Sequence, residues 1–269
     1  MPELPEVECV RRSLAQHVIG ARIATVSVIY GWIVDGDAAL FAATVGGQTI
    51  RAIDRVGKYL VFVLDEAAFF SHLRMEGKYN IVATASEIKK HEHIIFHLQD
   101  GRDLRYHDTR KFGRMGLVDK ERYRDTPPLD RLGPEPWEAD AHWLYGRLQK
   151  SRLPIKSLLL DQRLLAGIGN IYANEICFRI KKDPRTPARE LSEDEVGRLL
   201  AAARDVLTEA VNEGGSTIHS FDAGGISGRF QHRLQVHGQT SCHACGGQIT
   251  KLAVGGRGTY FCENCQNSS

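Results

Sequence analysis

Cys-His-Ala-Cys at 242–245 and Cys-Glu-Asn-Cys at 262–265 stand near the end of the chain, separated by sixteen residues. Two Cys-x2-Cys pairs at this spacing are typical of a structural zinc site, in which four thiolates surround one ion tetrahedrally. The expected ligands of one Zn²⁺ ion are Cys242, Cys245, Cys262 and Cys265. Two disulfides are the alternative, and the reducing cytosol expected for a chain without a leader segment disfavours them. Because protein would supply every ligand, the ion would shape a β-hairpin and leave no open position for a catalytic water.

The segment before the cysteines shows helical periodicity. Predicted helices cover 141–150, 155–165, 170–178 and 192–212. The last of these begins with Ser192-Glu193-Asp194-Glu195, a capping box. Proline and glycine at 126–136 interrupt both helical and strand patterns and indicate a linker. We therefore expect a linker at 127–137, a helical domain at 138–238 and a zinc finger at 239–269.

The residues from 22 to 118 are rich in short β-branched and aromatic runs with turn signals between them, such as Asp35-Gly36-Asp37 and Gly46-Gly47. Predicted strands cover 24–30, 49–56, 59–64, 69–73, 93–98 and 103–107. Strands at this spacing favour an antiparallel sandwich or barrel. A helix is predicted before them, with Pro5 in its first turn and Gly20 after its end. Its apolar face would comprise Val7, Val10, Leu14 and Val18. The expected fold class is α+β, with an N-terminal domain at 1–126.

Composition narrows the class of protein. A chain of 269 residues with 42% hydrophobic content can form two domains with real cores. The net charge of +2 means that any surface for nucleic acid must be local, and residues 102–124 hold eight Lys or Arg against four acids. No apolar run approaches the ~18 residues that span a membrane, and no leader segment precedes the first helix. We expect a monomeric cytoplasmic protein.

The first residues, Met1-Pro2-Glu3, carry a candidate nucleophile. Removal of Met1 before the small Pro2 would leave a secondary amine at the terminus. An α-amino group titrates near ~7.7–8.0, against ~10.4 for Lys, so far more of it is neutral at pH 7. Such an amine can attack a sugar carbon and form an iminium, with Glu3 as the adjacent acid. A solvated terminus without a chemical role is the alternative.

Other motifs place polar groups in loops. Gly167-Ile168-Gly169-Asn170 precedes a predicted helix whose N–H groups would bind phosphate, although a tight turn between helices also explains it. Arg152 and Lys156 add positive charge one helix earlier. Arg257 lies between glycines at the hairpin tip, where a phosphate contact and a solvated arginine are equal alternatives. His91-Glu92-His93 would place two rings on one face of a strand, but we disfavour a metal there because a third ligand is lacking.

The chain resembles the bacterial formamidopyrimidine-DNA glycosylases from end to end. Their motifs occur in order: Pro-Glu-Leu-Pro-Glu at 2–6, Gly-Lys-Tyr at 57–59, Met-Glu-Gly at 75–77, Arg-Lys-Phe-Gly at 110–113, Gly-Ile-Gly-Asn-Ile-Tyr at 167–172 and the four-cysteine hairpin. The resemblance implies an antiparallel β-sandwich, a helix–two-turn–helix domain and a zinc-finger hairpin, with damaged double-stranded DNA as the partner. It also implies a base-excision repair enzyme with two activities. As a glycosylase it would excise 8-oxoguanine and formamidopyrimidines through a proline Schiff base, and as an AP lyase it would cleave the abasic site by β,δ-elimination.

The same resemblance implies roles for single residues. Pro2 would attack C1′, and Glu3 would be the acid that assists sugar opening. Lys58 would serve the elimination and Arg257 its second, δ step. DNA contacts would come from His91, Arg110, Arg152, Lys156, Asn170 and Arg257. The wedge that fills the gap left by a flipped base would comprise Met75, Arg110 and Phe112. Contacts to the lesion would come from Glu76, Ser216 and Thr217.

Two other functions compete with this one. Enzymes of the endonuclease VIII type act on oxidised pyrimidines, but they usually begin Pro-Glu-Gly-Pro and lack the Arg-Lys-Phe-Gly wedge. A non-enzymatic zinc-ribbon DNA-binding protein would need neither a free Pro2 amine nor Glu3. The departures from the resembling family, which touch no chemical role, are Cys9, His237 and a short connection from Gly238 to Cys242.

Overall fold

The computed structural model describes residues 1–216 and 228–266. Within them the chain forms two compact units. The first contains Met1–Asp130 and Gly228, and the second contains Arg131–Ser216 and the residues from Arg229 onward. The division after Asp130 falls inside the segment expected to be a linker. No helix within the described residues has the length and apolar character needed to span a membrane.

The first unit opens with helix α1, Leu4–Val18, which has a proline in its first turn. One face of this helix is buried, as its periodicity predicted; it comprises Leu4, Val7, Val10, Leu14 and Val18. Cys9 is also buried, and burial raises the pKa of its thiol to about 11. The helix therefore fixes the start of the chain against the core of the unit.

Eight strands follow α1: β1 Ile23–Val28, β2 Ala52–Val56, β3 Tyr59–Val63, β4 Ala68–His72, β5 Lys78–Ala83, β6 Glu92–Leu98, β7 Arg102–His107 and β8 Arg114–Val118. They form two four-stranded antiparallel sheets, in the orders β1-β6-β7-β5 and β2-β3-β4-β8. Phe69 of one sheet stacks on Phe96 of the other with ring centroids 5.4 Å apart. The expected antiparallel sandwich is confirmed.

The residues between β1 and β2 differ from the sequence-based expectation of continuous β structure. Ala38–Val45 form helix α2, and the supposed turn residue Asp37 is its N-cap, accepting hydrogen bonds from the N–H groups of Ala39 and Leu40. The run Ala-Ala-Leu-Phe-Ala-Ala-Thr-Val is rich in helix formers. Phe41 and Val45, four residues apart, are buried on the same face.

In its described residues the second unit contains four α-helices: α3 Ala141–Leu148, α4 Ile155–Leu159, α5 Asn170–Arg179 and α6 Glu193–Asn212. The capping box of α6 is present, because the Glu195 N–H bonds Ser192 Oγ at 3.3 Å and the Ser192 N–H bonds Glu195 Oε2 at 2.9 Å. The α4 helix ends six residues before the predicted position. Asp161 accepts the N–H of Arg163 at 3.0 Å, and such a local side-chain bond competes with helical hydrogen bonding.

The cysteine-containing hairpin is the last part of this unit. Strands β9, Ile249–Val254, and β10, Arg257–Cys262, pair antiparallel, and β10 packs against α5. Gly255 and Gly256 make the two-residue tip with φ of +56° and +73°. Both angles lie in the region that favours glycine, as a tight hairpin turn requires.

Candidate active site and metal centre

Pro2 and Glu3, which follow the exposed Met1, are held in place rather than solvated. Pro2 is buried, and Glu3 is only 3% exposed. The backbone N–H of Glu3 donates a 2.8 Å hydrogen bond to Oε2 of Glu6 in the first turn of α1. Burial lowers the pKa of the Met1 amine, while Glu3 and Glu6 raise it and Lys58 lowers it further. A terminal amine in these surroundings is neutral over a wider pH range, which favours nucleophilic attack.

Lys58 lies in the turn between β2 and β3 and is buried, being 5% exposed. It follows Gly57, whose φ of +57° belongs to the left-handed region. Arg55 connects this turn to α1, because its guanidinium donates to the carbonyl of Gly57 at 3.0 Å and to Glu8 at 3.1 Å. The helix that carries the terminus and the turn that carries Lys58 are therefore tied together.

Glu8 is the centre of that connection. Besides Arg55 it accepts hydrogen bonds from Arg11 and Arg12, each at 2.8 Å. Burial opposes the ionised form of Glu8, but the bonds from these arginines outweigh it and lower the pKa to about 2. The carboxylate is therefore charged throughout the physiological range, and it anchors α1 to β2.

Met75 lies on a turn after β4 and is partly exposed. Nδ1 of His72 accepts the N–H of Arg74 at 2.9 Å and so fixes the start of this turn. Burial, with Arg74 and Lys58 nearby, lowers the pKa of His72 to about 3, which keeps the ring neutral and able to accept. A Cβ at Gly77 would lie 2.3 Å from the hydroxyl of Tyr106, so only glycine fits at that position.

The loop between β7 and β8 presents the other two proposed wedge residues. Phe112 is 49% exposed. The guanidinium of Arg110 lies over its ring, 4.7 Å from the centroid. The ammonium of Lys111 lies 4.3 Å from the ring centroid of Tyr30. Arg110 and Phe112 thus form one exposed cationic and aromatic pair.

His91 precedes strand β6 rather than lying on it, and its φ is +71°. Its carbonyl accepts the N–H of Asp108 at 3.0 Å. Nε2 of His93 lies 2.8 Å from the carbonyl oxygen of Asp108. The two rings therefore do not share one face of a strand as the sequence predicted, because His91 lies before the strand. The segment that carries His91 is hydrogen-bonded to the loop that carries Arg110.

In the second unit, Lys156 was expected to contact DNA directly, but in the structure its ammonium group donates to protein acceptors. Its side chain is fully buried. Nζ donates to Oδ1 of Asn170 at 2.8 Å, to the carbonyl of Gly258 at 3.0 Å and to Oγ1 of Thr259 at 2.7 Å. An ammonium has three donors, and the three bonds use all of them. Lys156 therefore joins α4 and α5 to the hairpin in this structure.

The remaining candidates of this unit differ in exposure. Arg152 and Arg257 are exposed, Arg257 at the start of β10. Asn170 begins α5, and its side-chain amide donates to the carbonyl of Gly258 at 3.0 Å. Ser216 is buried, and Thr217 lies outside the described residues.

The four cysteines of the hairpin come together as one cluster. Their sulfur atoms all lie within 4.8 Å of one another, with Cys242 and Cys265 at 3.9 Å and Cys245 and Cys262 at 3.5 Å. Disulfide sulfurs would lie at about 2.05 Å. Sulfurs at the corners of a tetrahedron with Zn–S bonds of about 2.3 Å would lie about 3.8 Å apart. The hydrogen bond from the Gly247 N–H, with bonds to the neighbouring cysteines, lowers the pKa of Cys245 to about 7, while burial raises that of Cys262 and the bond with Cys245 raises that of Cys265. One thiolate among four close thiols is therefore favoured before any metal binds. The cluster fits a metal ion.

Sequence reasoning gave no role to three buried polar residues that support these features. His72 and Asp108 organise the two loops of the first unit. In the second, Glu175 on α5 accepts the N–H groups of Gln235, Val236 and His237 at 2.8, 3.1 and 2.8 Å. An aspartate in a turn often accepts the backbone N–H two residues later, so the sequence offered a signal for Asp108. The partners of His72 and Glu175 depend on tertiary structure.

Comparison with known proteins agrees with this arrangement. Three family models match in succession. Residues 1–115 match the formamidopyrimidine-DNA glycosylase N-terminal domain, residues 132–222 match the formamidopyrimidine-DNA glycosylase H2TH domain, and residues 242–267 match the zinc finger found in FPG and IleRS. Together they account for most of the chain.

Relatives match over the full length. Formamidopyrimidine-DNA glycosylases of Halalkalibacterium halodurans and Exiguobacterium sibiricum are each 46% identical, covering 99% of this chain and 100% and 99% of their own. Wild-type Lactococcus lactis Fpg, solved in complex with DNA containing N7-benzyl-Fapy-dG, is similar with a TM-score of 0.93 at 37% identity, covering 99% of this chain and 100% of its own. A complex of Lactococcus lactis Fpg with DNA containing an abasic site gives the same values. The chain belongs to the formamidopyrimidine-DNA glycosylase family.

Proposed function

We propose that the protein is a bifunctional repair enzyme that excises oxidised purines, 8-oxoguanine and formamidopyrimidines, from duplex DNA and then cleaves the abasic site. The observation that carries the proposal is the start of the chain, where Pro2 and Glu3 are buried next to a terminal amine whose pKa is lowered by partial burial and whose charged neighbours include Glu3 and Lys58. The Lactococcus lactis relatives bound to Fapy-dG and abasic-site DNA support the choice of substrate.

The proposed reaction begins after removal of Met1, which transfers the terminal amine to Pro2. The Pro2 nitrogen bonds C1′ as the glycosidic bond breaks, and the base leaves with a proton. Glu3 protonates the ring oxygen of the sugar, which opens to an iminium. Loss of a C2′ proton then expels the 3′ phosphate, and Lys58 serves this step. Arg257 assists the second elimination, in which loss of a C4′ proton expels the 5′ phosphate.

DNA binding would use the exposed groups of each unit. Arg110 on the first unit, with Arg152 and Arg257 on the second, provides charge for phosphates, and the partly exposed ring of His91 can hydrogen-bond a phosphate oxygen. Asn170 contributes at the start of α5, where backbone N–H groups favour anions. Lys156 acts here as a positioning group, since its three protons are engaged by protein acceptors. Met75, Arg110 and Phe112 would enter the stack when the damaged base leaves it, which offsets part of the cost of extrusion.

Three further assignments complete the proposal. The cysteine cluster would hold one structural Zn²⁺, since its sulfur spacing suits that ion. The 1–126 segment would be catalytic and carry the lesion contact of Glu76, 138–238 would bind DNA and carry those of Ser216 and Thr217, and 239–269 would be the zinc finger. The enzyme would act as a monomer on the bacterial chromosome in the cytoplasm.

Borohydride trapping on a duplex with 8-oxoguanine opposite cytosine tests the proposal. The processed chain should form a covalent protein–DNA adduct and nick the strand. A chain with a tag before Pro2 should do neither, while a matched chain with the same tag at its C-terminus should do both. Mass spectrometry verifies each terminus. Full activity with a blocked terminus would refute the Pro2 mechanism. Trapping only on oxidised pyrimidines would indicate an endonuclease VIII activity, and binding without an adduct would indicate a zinc-ribbon binding protein.

A further inference from the structure

We infer that Asp108 is a positioning residue that sets the choice of base opposite the lesion. Its buried carboxylate holds the backbone that carries Arg110 and Phe112, and its own backbone holds the segment that carries His91. The inference rests on the proposed function, in which Arg110 and Phe112 face the unpaired base. Asp108 follows the last residue of β7 and is fully buried.

Both carboxylate oxygens of Asp108 accept N–H groups from the loop that follows it. Oδ1 accepts the N–H of Arg110 at 3.0 Å, and Oδ2 accepts the N–H of Gly113 at 2.8 Å. The hydroxyl of Tyr106 donates to Oδ2 at 3.4 Å. The carboxylate therefore spans the tip, with one oxygen at its first residue and the other just beyond Phe112.

The tip between those two amides is short and bent. Lys111 has a φ of +58°, and its N–H donates to the backbone carbonyl of Asp108 at 3.3 Å. Gly113 has no room for a side chain, since a Cβ there would lie 1.7 Å from the Tyr106 hydroxyl. The side chains of Arg110 and Phe112 are exposed. Their direction therefore depends on the backbone that Asp108 fixes.

The backbone of Asp108 also holds the segment of His91. Its N–H donates to the His91 carbonyl at 3.0 Å, and its own carbonyl lies 2.8 Å from Nε2 of His93. One residue thus connects a proposed phosphate contact with the proposed wedge. Recognition by a single guanidinium requires its position to be held within about 0.5 Å, and the carboxylate provides that constraint.

Asp108→Asn tests the inference with little change in size. The amide keeps one acceptor oxygen and places an NH₂ group opposite the second N–H, so one end of the loop is released. Asp119→Asn is the matched control. Asp119 also accepts two backbone N–H groups, from Glu121 at 2.9 Å and Arg122 at 2.7 Å, but in an exposed turn.

Single-turnover excision opposite cytosine and opposite adenine is the first measurement. Asp108→Asn should lower the cytosine-to-adenine ratio by about fivefold or more, and Asp119→Asn should leave it unchanged. If Asp108 acts through Arg110, the pair Asp108→Asn with Arg110→Ala should show the same ratio as Arg110→Ala alone. The inference is overturned if Asp108→Asn leaves the ratio unchanged. It is also overturned if adding Asp108→Asn to Arg110→Ala lowers the ratio by the same factor as Asp108→Asn does alone.

A second measurement does not depend on enzymatic activity. Trypsin should cut the free Asp108→Asn protein after Arg110 several-fold faster than the wild type, while Asp119→Asn is cut at the wild-type rate. Equal cleavage of Asp108→Asn and wild type overturns the inference, and this result does not require the protein to excise any base. Failure of the inference can therefore be told apart from failure of the proposed function. If Asp108→Asn does not fold, hydrogen exchange in the wild type decides. The amides of Arg110 and Gly113 should be protected, and fast exchange of both would overturn the inference.

Discussion

The hydroxyl of Thr109 donates a 2.7 Å hydrogen bond to Oε2 of Glu76, thirty-three residues earlier in the chain. This bond joins the turn that carries Met75 to the loop that carries Arg110 and Phe112. The turn is also fixed by a hydrogen bond to His72, and the loop is also fixed by the buried carboxylate of Asp108. The two segments that carry the three proposed wedge residues are therefore hydrogen-bonded to each other in the first unit.

Arg110→Ala should flatten the preference for cytosine opposite the lesion. An unpaired cytosine presents the acceptors O2 and N3, and an unmade hydrogen bond costs about 1–3 kcal/mol. Arg110 only donates, so it satisfies cytosine but meets the donor amine of adenine. We expect the wild type to favour cytosine by about tenfold or more. Single-turnover excision opposite each base measures this ratio.

Lys111→Ala is the control for that experiment. Its ammonium lies over the Tyr30 ring, away from the Arg110–Phe112 pair, so its loss should remove one positive charge and weaken DNA binding without altering the ratio. An unchanged ratio in Arg110→Ala would move the discrimination to another part of the protein.

Glu3→Gln should slow excision while leaving lesion binding intact. Glu3 is buried in the first turn of the chain, and an amide keeps its size but has no proton to give. General acid catalysis typically contributes about 10²–10⁴-fold to a rate, so we expect a loss in that range. Single-turnover rates and equilibrium titration with lesion DNA separate the two effects. Glu66→Gln, at an exposed position, should change neither. A parallel fall in affinity would mean that Glu3 supports structure.

Removal of the metal should unfold the hairpin locally. Small zinc hairpins lack a core of their own, so metal binding supplies their folding free energy. We expect one zinc per chain, with Cys245→Ser or strong chelation disordering the region from 242 to 266 and abolishing tight DNA binding. The β-sandwich should stay folded. Cys9→Ala, at a buried cysteine outside the cluster, should retain the metal. Four oxidised cysteines and no zinc would contradict the assignment.

Glu8→Gln should destabilise the first unit in a pH-dependent manner. The pKa of Glu8 is about 2 in the folded chain against an ordinary 4.5, so the unfolded chain binds more protons between these values. The stabilisation is therefore complete above pH 4.5 and is lost as the pH falls toward 2. Each pKa unit corresponds to about 1.4 kcal/mol, and partial solvent screening leaves about 1–2 kcal/mol. Urea unfolding at pH 7, 4.5 and 3 measures the difference in the free energy of unfolding. A difference that is constant with pH would contradict this origin.

Much of the fold was predictable because its signals are local. Helices α1 and α6 have caps and long apolar faces, and the structure contains both. Helix α2 was missed because its N-cap, Asp37, belongs to an Asp-Gly-Asp run that equally indicates a turn. Strands β5 and β8 have mixed, partly buried patterns without clear alternation, and they are defined by pairing with distant strands.

The candidate site divides in the same way. The cysteine spacing is a local pattern, and the structure brings the four cysteines together as the sequence predicted. The start of the chain is also a local pattern, and its chemical role stays a prediction. The environment of Lys156 is not local, since its partners Gly258 and Thr259 follow it by 102 and 103 residues. Its charge suggested a phosphate contact, and only the packing of three segments assigns the ammonium to protein acceptors.

The buried ammonium of Lys156 has a consequence for exchanging parts between relatives. Two of its acceptors, Gly258 and Thr259, belong to the hairpin, and the third, Asn170, begins α5. A hairpin grafted as a cassette cut at the cysteines would bury an unmatched cation unless it brought equivalent acceptors, which is strongly destabilising. The exchangeable module is therefore larger than the metal-binding motif. In chimeras it must carry α4, the start of α5 and the hairpin together.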